Sequence, residues 1–184
     1  MSFTLHRGTT PVLVSMPHVG TVIPQPLRHR FLERAGQTED TDWFLDRLYT
    51  FVKDLGASLI VPVESRYVID LNRPSDNRPM YSGQNNTELC PTRFFTGDPL
   101  YRDGMAPSDG EVQERVRTYW QPYHDALRDE TQRLKSLHGH AVLLDALYSD
   151  RDRVQFRARI DFDDGRVSML DADLAIRTLD AVTP

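Results

Sequence analysis

Four short apolar runs, each followed at once by polar residues, place the strongest limit on what this chain can fold into. They are Val12 to Ser15, Ala57 to Val63 ("ASLIVPV"), Tyr67 to Leu71 ("YVIDL") and Ala141 to Leu144 ("AVLL"). Runs of four to seven apolar residues are the length of buried strands, not of helices. Between them lie two stretches with helical spacing. Phe44, Leu48, Phe51, Val52 and Leu55 follow a candidate N-cap at Asp40 or Thr41 and stop at Gly56. Ser108 and Glu111 form a capping-box pattern ahead of Val112, Val116, Tyr119, Tyr123, Leu127, Leu134 and Leu137, with Pro122 predicted to kink or split that helix. This order predicts an α/β fold with a mainly parallel or mixed central sheet flanked by helices. Its ligand crevice is expected beyond the carboxyl ends of the strands, where His18, Asn72, Arg73 and Asp145 fall.

Pro62 predicts that the second run lies near a sheet edge or a bulge. Residues 73 to 107 hold Pro74, Pro79, Pro91, Pro99 and Pro107 with Gly83, Gly97 and Gly104, and read as a long functional loop. After about Leu147 the pattern changes. Val154, Phe156, Ala158, Ile160 and Phe162 alternate with polar residues, Asp163-Asp164-Gly165 is a turn signal before Val167 and Met169, and Leu174, Ile176 and Leu179 suggest a short closing helix. The expected organisation is a domain over residues 1–146 and an atypical segment over 147–184 packed on it.

Composition narrows the function classes. With 184 residues, 39% hydrophobic and 27% charged, the chain can bury a core without disulfides. A net charge of −5 with no basic cluster argues against nucleic acid. No apolar run reaches the roughly 20 residues of a membrane span. The single cysteine, Cys90, and the lack of a leader-like N-terminus point to the cytoplasm.

Several side chains carry candidate chemistry, each beside a plainer reading. His18, between Pro17 and Gly20 at a strand end, is either bonded to a neighbouring loop or placed as a metal ligand or base. Asp40 and Asp42 either cap the following helix or reach the crevice. Asn72 and Arg73 offer an amide and a guanidinium fork suited to a carboxylate, although Arg73 has Asp70 and Asp76 as alternative partners. His124 lies on the face of the long helix and Cys90 in the loop; both read as packed residues rather than catalytic ones.

Five blocks carry a resemblance: "SMPHVGTVIP", "DTDWFLDRLY", "GASLIVPVESRYVIDLNRP", "GQNNTELCP" and "YWQPYHDALRDE". In this order, over about residues 8 to 146, they resemble the N-formylglutamate amidohydrolases, or deformylases, of histidine degradation. The resemblance implies a fold similar to zinc-dependent exopeptidases and hydrolysis of N-formyl-L-glutamate to formate and L-glutamate. It implies one zinc held by His18 and Asp42, with Asp40 in reserve, and a small-molecule substrate whose carboxylates meet Asn72, Arg73 and, more weakly, Arg66. A three-ligand zinc with an open position lowers the pKa of its water to roughly 7 while a carboxylate takes the proton.

The chain departs from the family's pattern at the fourth run. "LLDALYSDRD" puts Leu147 where the resemblance expects the last zinc-ligating His, and the general base is not identified. His138, His140 and Asp145 are substitutes; the two histidines precede the strand and so lie at its far end. The alternative to an active hydrolase is therefore a non-catalytic or truncated relative that keeps a carboxylate pocket without a complete zinc site.

Overall fold

The computed structural model describes residues 2–78, 88–150, 153–162 and 164–175. Its centre is a six-stranded mixed sheet in the order β1-β3-β2-β4-β5-β6. The strands are β1 (Phe3–His6), β2 (Val12–Ser15), β3 (Ser58–Pro62), β4 (His140–Asp150), β5 (Arg153–Phe162) and β6 (Val167–Ala175). β2 runs parallel to both β3 and β4, and the outer pairs β1·β3, β4·β5 and β5·β6 are antiparallel. The chain leaves β2 for β3 on one side and later returns to β4 on the other. The order thus reverses at β2, where an open α/β sheet leaves its crevice.

Successive β2 residues face opposite sides of the sheet. Leu13 packs with Ile60, Tyr123, Leu127 and Leu134 under the long helix, whereas Val14 packs with Leu45, Tyr49, Val52 and Leu59 on the other face. Burying each such side chain contributes roughly 1.5–3 kcal/mol. The long helix begins as α4 (Asp109–Arg115), whose capping box joins Ser108 and Glu111, and continues as α5 (Gln121–His138). Between them Val116–Trp120 forms a π-turn directly ahead of Pro122, so the missing proline N–H is absorbed by widening the helix.

Four expectations change. The helix expected after Asp40 is two short pieces, α2 (Leu45–Leu48) and α3 (Phe51–Asp54), preceded by α1 (Gln25–Arg28) elsewhere in the loop. The stretch carries two apolar stripes, so spacing alone does not choose a face. Leu45, Tyr49 and Val52 are buried, while Phe44, Leu48, Phe51 and Leu55 are exposed. Thr50 donates its hydroxyl to the Arg47 carbonyl at 3.1 Å, which competes with a continuous helix. Second, Tyr67 to Leu71 is a buried turn, not a strand: Val68 N–H bonds the Ser65 carbonyl at 2.8 Å. Third, β3 is interior, and Pro62 is its last residue instead of marking an edge. Fourth, Leu174 lies in β6 and not in a helix; Ile176 and Leu179 are outside the described residues.

The hairpin of β5 and β6 forms with Gly165 at φ 84°, and extends the same sheet that β4 carries through residue 147. The described parts of the long loop are ordered by burial: Phe94, Leu100 and Tyr101 cluster with Ile23, Phe31 and Tyr67. Much of the "GQNNTELCP" block lies outside the described residues.

One polar group is fully enclosed under the sheet. Glu130 accepts from Ser58 at 2.6 Å and from Arg133 at 2.6 Å, with Arg7 at 3.3 Å. Burial resists ionisation, but the Arg133 and Ser58 hydrogen bonds, with Arg7, outweigh it and hold the carboxyl below its usual range. The stability it contributes is present above 4.5 and lost as pH falls below that value. Glu130→Ala is expected to cost about 2 kcal/mol, because both arginines can rehydrate, and to flatten the acid limb of a stability profile measured by urea unfolding.

Candidate functional site

His18 follows β2 at the switch point. Met16 N–H extends the ladder to the Ile60 carbonyl at 3.3 Å, and Val19 N–H turns back to Met16. Gly20 answers to a close approach: a Cβ there would stand 2.0 Å from the Glu64 carbonyl oxygen. The segments beyond β2 and β3 are laced at this point, with Val22 N–H on the Val63 carbonyl (3.1 Å) and Ser65 N–H on the Val22 carbonyl (2.9 Å). The glycine thus serves the neighbouring backbone.

The ring of His18 is buried and engaged on both sides. Nε2 lies 2.8 Å from Asp70 Oδ1; Nδ1 lies 3.6 Å from Asp42 Oδ2 and 3.3 Å from an Arg66 guanidinium nitrogen. Arg66 also donates to Asp70 Oδ2 at 2.6 Å and stacks over the Phe95 ring at 4.5 Å. Asp42 is brought in by the backbone, its N–H bonding the His18 carbonyl at 3.0 Å. Burial resists ionisation of Asp70, yet Arg66 and His18 hold its carboxyl well below the usual range. Burial and Arg66 both oppose a charged His18, but Asp70 and Asp42 together outweigh them and raise its pKa above 6.5.

The other candidates have definite places. Asp40 accepts the Phe95 N–H at 3.1 Å, while its own N–H bonds the Tyr67 hydroxyl, so it joins loops and caps no helix. Asn72 N–H donates to Asp70 Oδ1 at 2.9 Å and Arg73 N–H to the Asp70 carbonyl at 3.1 Å, while Trp120 donates to the Arg73 carbonyl at 2.8 Å. This pins the Asn72–Arg73 backbone beside His18's partner. Asp145 pairs in register with Ser15, whose hydroxyl meets that of Tyr123 at 3.1 Å. His140 opens β4 and His138 closes α5, whereas Asp145 lies midway along β4 and not past its carboxyl end as expected. His124 bonds the Leu71 carbonyl at 2.9 Å and stacks on Trp120, and burial lowers its pKa. Burial pushes the Cys90 thiol up to about 11, which suits a packed residue.

Asp70, central here, entered the sequence reading only as a rival partner for Arg73. The available signal was its spacing, four after Arg66 and two before Asn72.

Asp70 holds His18 with Nε2–H donating to the carboxylate, the tautomer that turns the Nδ1 lone pair toward Asp42 and the Arg66 guanidinium, so a metal held there would take the place of the Arg66 contact. Two donors on one tetrahedral zinc stand roughly 3.3–3.6 Å apart, so the 3.6 Å between Nδ1 and Asp42 Oδ2 suits a shared divalent cation. Among the described residues no group of three His, Cys, Asp or Glu side chains gathers to complete a metal centre. Leu147, two residues past Asp145, is buried and brings no donor.

A family model described as N-formylglutamate amidohydrolase matches residues 10–171. A Pseudomonas putida protein named N-formylglutamate deformylase is 44% identical over 143 residues, covering 78% of this chain and 53% of its own length. Its Pseudomonas aeruginosa counterpart is 47% identical over 140 residues, 76% of this chain and 52% of its own. The chain spans about half the length of these curated relatives. Among solved structures, N-formylglutamate amidohydrolase from Ralstonia eutropha JMP134 has a TM-score of 0.65 at 23% identity, covering 78% of this chain and 56% of its own. A gene product of Agrobacterium tumefaciens has a TM-score of 0.53 at 16% identity, with 83% and 62% covered. These two likenesses bear on the fold alone.

Two measurements follow from the site. Gly20→Ala is expected to cost about 2 kcal/mol or more of unfolding free energy, because backbone must move to admit the methyl. An NMR titration is expected to find His18 above 6.5; the stability from its pairing is complete below 6.5 and lost as pH rises through the raised value.

Proposed function

Because the chain belongs to the N-formylglutamate amidohydrolase family, we propose that it hydrolyses the formamide of N-formyl-L-glutamate, or a similar N-acyl amino acid, to formate and the free amino acid. The single observation that carries this reading is the buried pair of His18 Nδ1 and Asp42 Oδ2, 3.6 Å apart, with His18 held from behind by Asp70 at 2.8 Å. The proposed setting is histidine degradation in the cytoplasm. Supporting that setting is the single cysteine, which has no internal disulfide partner.

His18 and Asp42 are the proposed donors to a divalent metal, zinc by the resemblance. When bound there, such an ion supplies a Lewis acid for the formyl oxygen and acidifies a water. The chain's own residues do the rest of what can be assigned. Asp70 fixes the His18 tautomer and ring orientation. Asn72 and Arg73, with backbones anchored on Asp70 and Trp120, are proposed to grip a substrate carboxylate and so orient the formamide. Arg66 is committed to Asp70, His18 and the Phe95 ring; its proposed part is to keep that cluster charged and in place.

Leu147 favours a second reading, a relative that binds the N-acyl amino acid without turning it over. Metal content separates the two. Stoichiometric zinc at neutral pH that is lost in both His18→Ala and Asp42→Ala supports the hydrolase; zinc unchanged in both variants removes the ligand assignment. A metal-free protein that still binds N-formylglutamate supports the binder, and Leu147→His is then expected to raise zinc affinity by about tenfold or more. Where activity is present, Arg73→Gln is expected to lower kcat/KM about 10–100-fold, and an unaltered value would remove its carboxylate role.

A further inference from the structure

Past the Gly20 crossing the chain builds a second concavity. A groove of about 550 Å³ is floored by Val22, Ile23, Phe31 and Leu32 and flanked by Arg28 and Arg102. Each arginine is held by its Nε: Arg28 donates to the Ile23 carbonyl at 2.7 Å, and Arg102 to the Phe31 carbonyl at 3.2 Å. The backbone fixes the second of these, since Phe31 and Tyr101 form an antiparallel bridge and Arg102 N–H bonds the Arg30 carbonyl. Among the described residues neither guanidinium has an acidic partner. Neighbouring arginines do: Arg30 pairs with Glu111, and Arg34 with Glu39 and Asp98. In a chain of net charge −5, two backbone-tethered guanidiniums without an ion-pair partner among the described residues stand on the same groove.

We infer that this groove is a second binding site, distinct from the His18 cluster, for a small monocarboxylate with a short apolar stem. A guanidinium held through Nε still presents its two terminal nitrogens, the fork that matches a carboxylate. Glu33 also lines the groove, so two cations face one anion, leaving the charge of a single monoanion to balance. The buried Ile23 and Phe31 below them take the stem, as small-ligand sites pair an apolar floor with few polar groups. Gly36 stands on the wall with nothing within 4 Å of where its Cβ would lie, so the mouth is open there.

NMR titrations of the full chain with butyrate, butyl phosphate and inorganic phosphate test the assignment. Butyrate is expected to shift the Thr21, Val22 and Gly36 amides saturably, with a Kd on the order of millimolar. Arg28→Gln combined with Arg102→Gln is expected to weaken this about tenfold or more. Gly36→Trp, which places bulk in open space and touches neither arginine, is expected to block it with the thermal midpoint kept. The absence of saturable shifts, or shifts unchanged in both variants, overturns the site. Butyl phosphate or inorganic phosphate binding as tightly as butyrate overturns the monocarboxylate assignment. Loss of butyrate binding in Arg73→Gln alone places the ligand beside His18 and overturns the groove.

Discussion

The buried carboxylate of Asp70 accepts from three directions: His18 Nε2 at 2.8 Å, Arg66 at 2.6 Å and the Asn72 N–H at 2.9 Å. Three separate segments are held by this one group, the loop after β2, the turn after β3 and the start of the long loop. A carboxylate removed from water is costly unless its lone pairs are filled, and here Oδ2 takes the Arg66 guanidinium while Oδ1 takes His18 and the Asn72 N–H. That requirement makes the cluster cooperative: no member can leave without stranding another in the interior. The orientation of His18 toward Asp42, and the anchoring of Asn72 and Arg73, both depend on it.

The sheet supplies the rigid base for this cluster. β2 is the strand from which the chain departs in both directions, so its carboxyl end is uncovered by either neighbour's connection. Leu13 and Val14 clamp the strand between two different apolar layers, and the Ser15–Tyr123 hydroxyl contact ties its last residue to α5. Glu130 does for the far end of the sheet what Asp70 does for the near end, satisfying Ser58, Arg133 and Arg7 around one enclosed carboxylate. Two buried acids, each gathering distant segments, thus bracket the parallel core.

The strands of that core were legible from local sequence pattern, because short buried runs of β-branched and aliphatic residues have few alternatives. The capping box at Ser108 and the disturbance ahead of Pro122 were equally local, and both appear where their residues stand. Two elements misread in the sequence share a cause. Tyr67 to Ile69 are buried like a strand but form a turn, because Arg66 and Asp70 close an ion pair four residues apart and the long loop covers them. Residues 44 to 55 carry two apolar stripes, and only contact with Val14 and Leu59 decides that Leu45, Tyr49 and Val52 go inward. β1 had no distinctive pattern, since Phe3–His6 is a half-exposed strand defined by its pairing with β3.

The sequence by itself determined the α/β class and placed an Asn72–Arg73 pair after an apolar run, both properties of residue type and local spacing; His18 and Asp42 as candidate ligands, and Leu147 as a position lacking one, were implied by the family resemblance. Only the tertiary structure decided that Asp70 is the hub, that Gly20 makes room for the Glu64 backbone, and that Arg66 is held within the cluster. It also decided that Arg28 and Arg102 face one groove. The reason is common to all four: each rests on contact between segments far apart in the chain. The partner of a buried charge is chosen by which segments the sheet brings within about 3 Å, a distance no local pattern records.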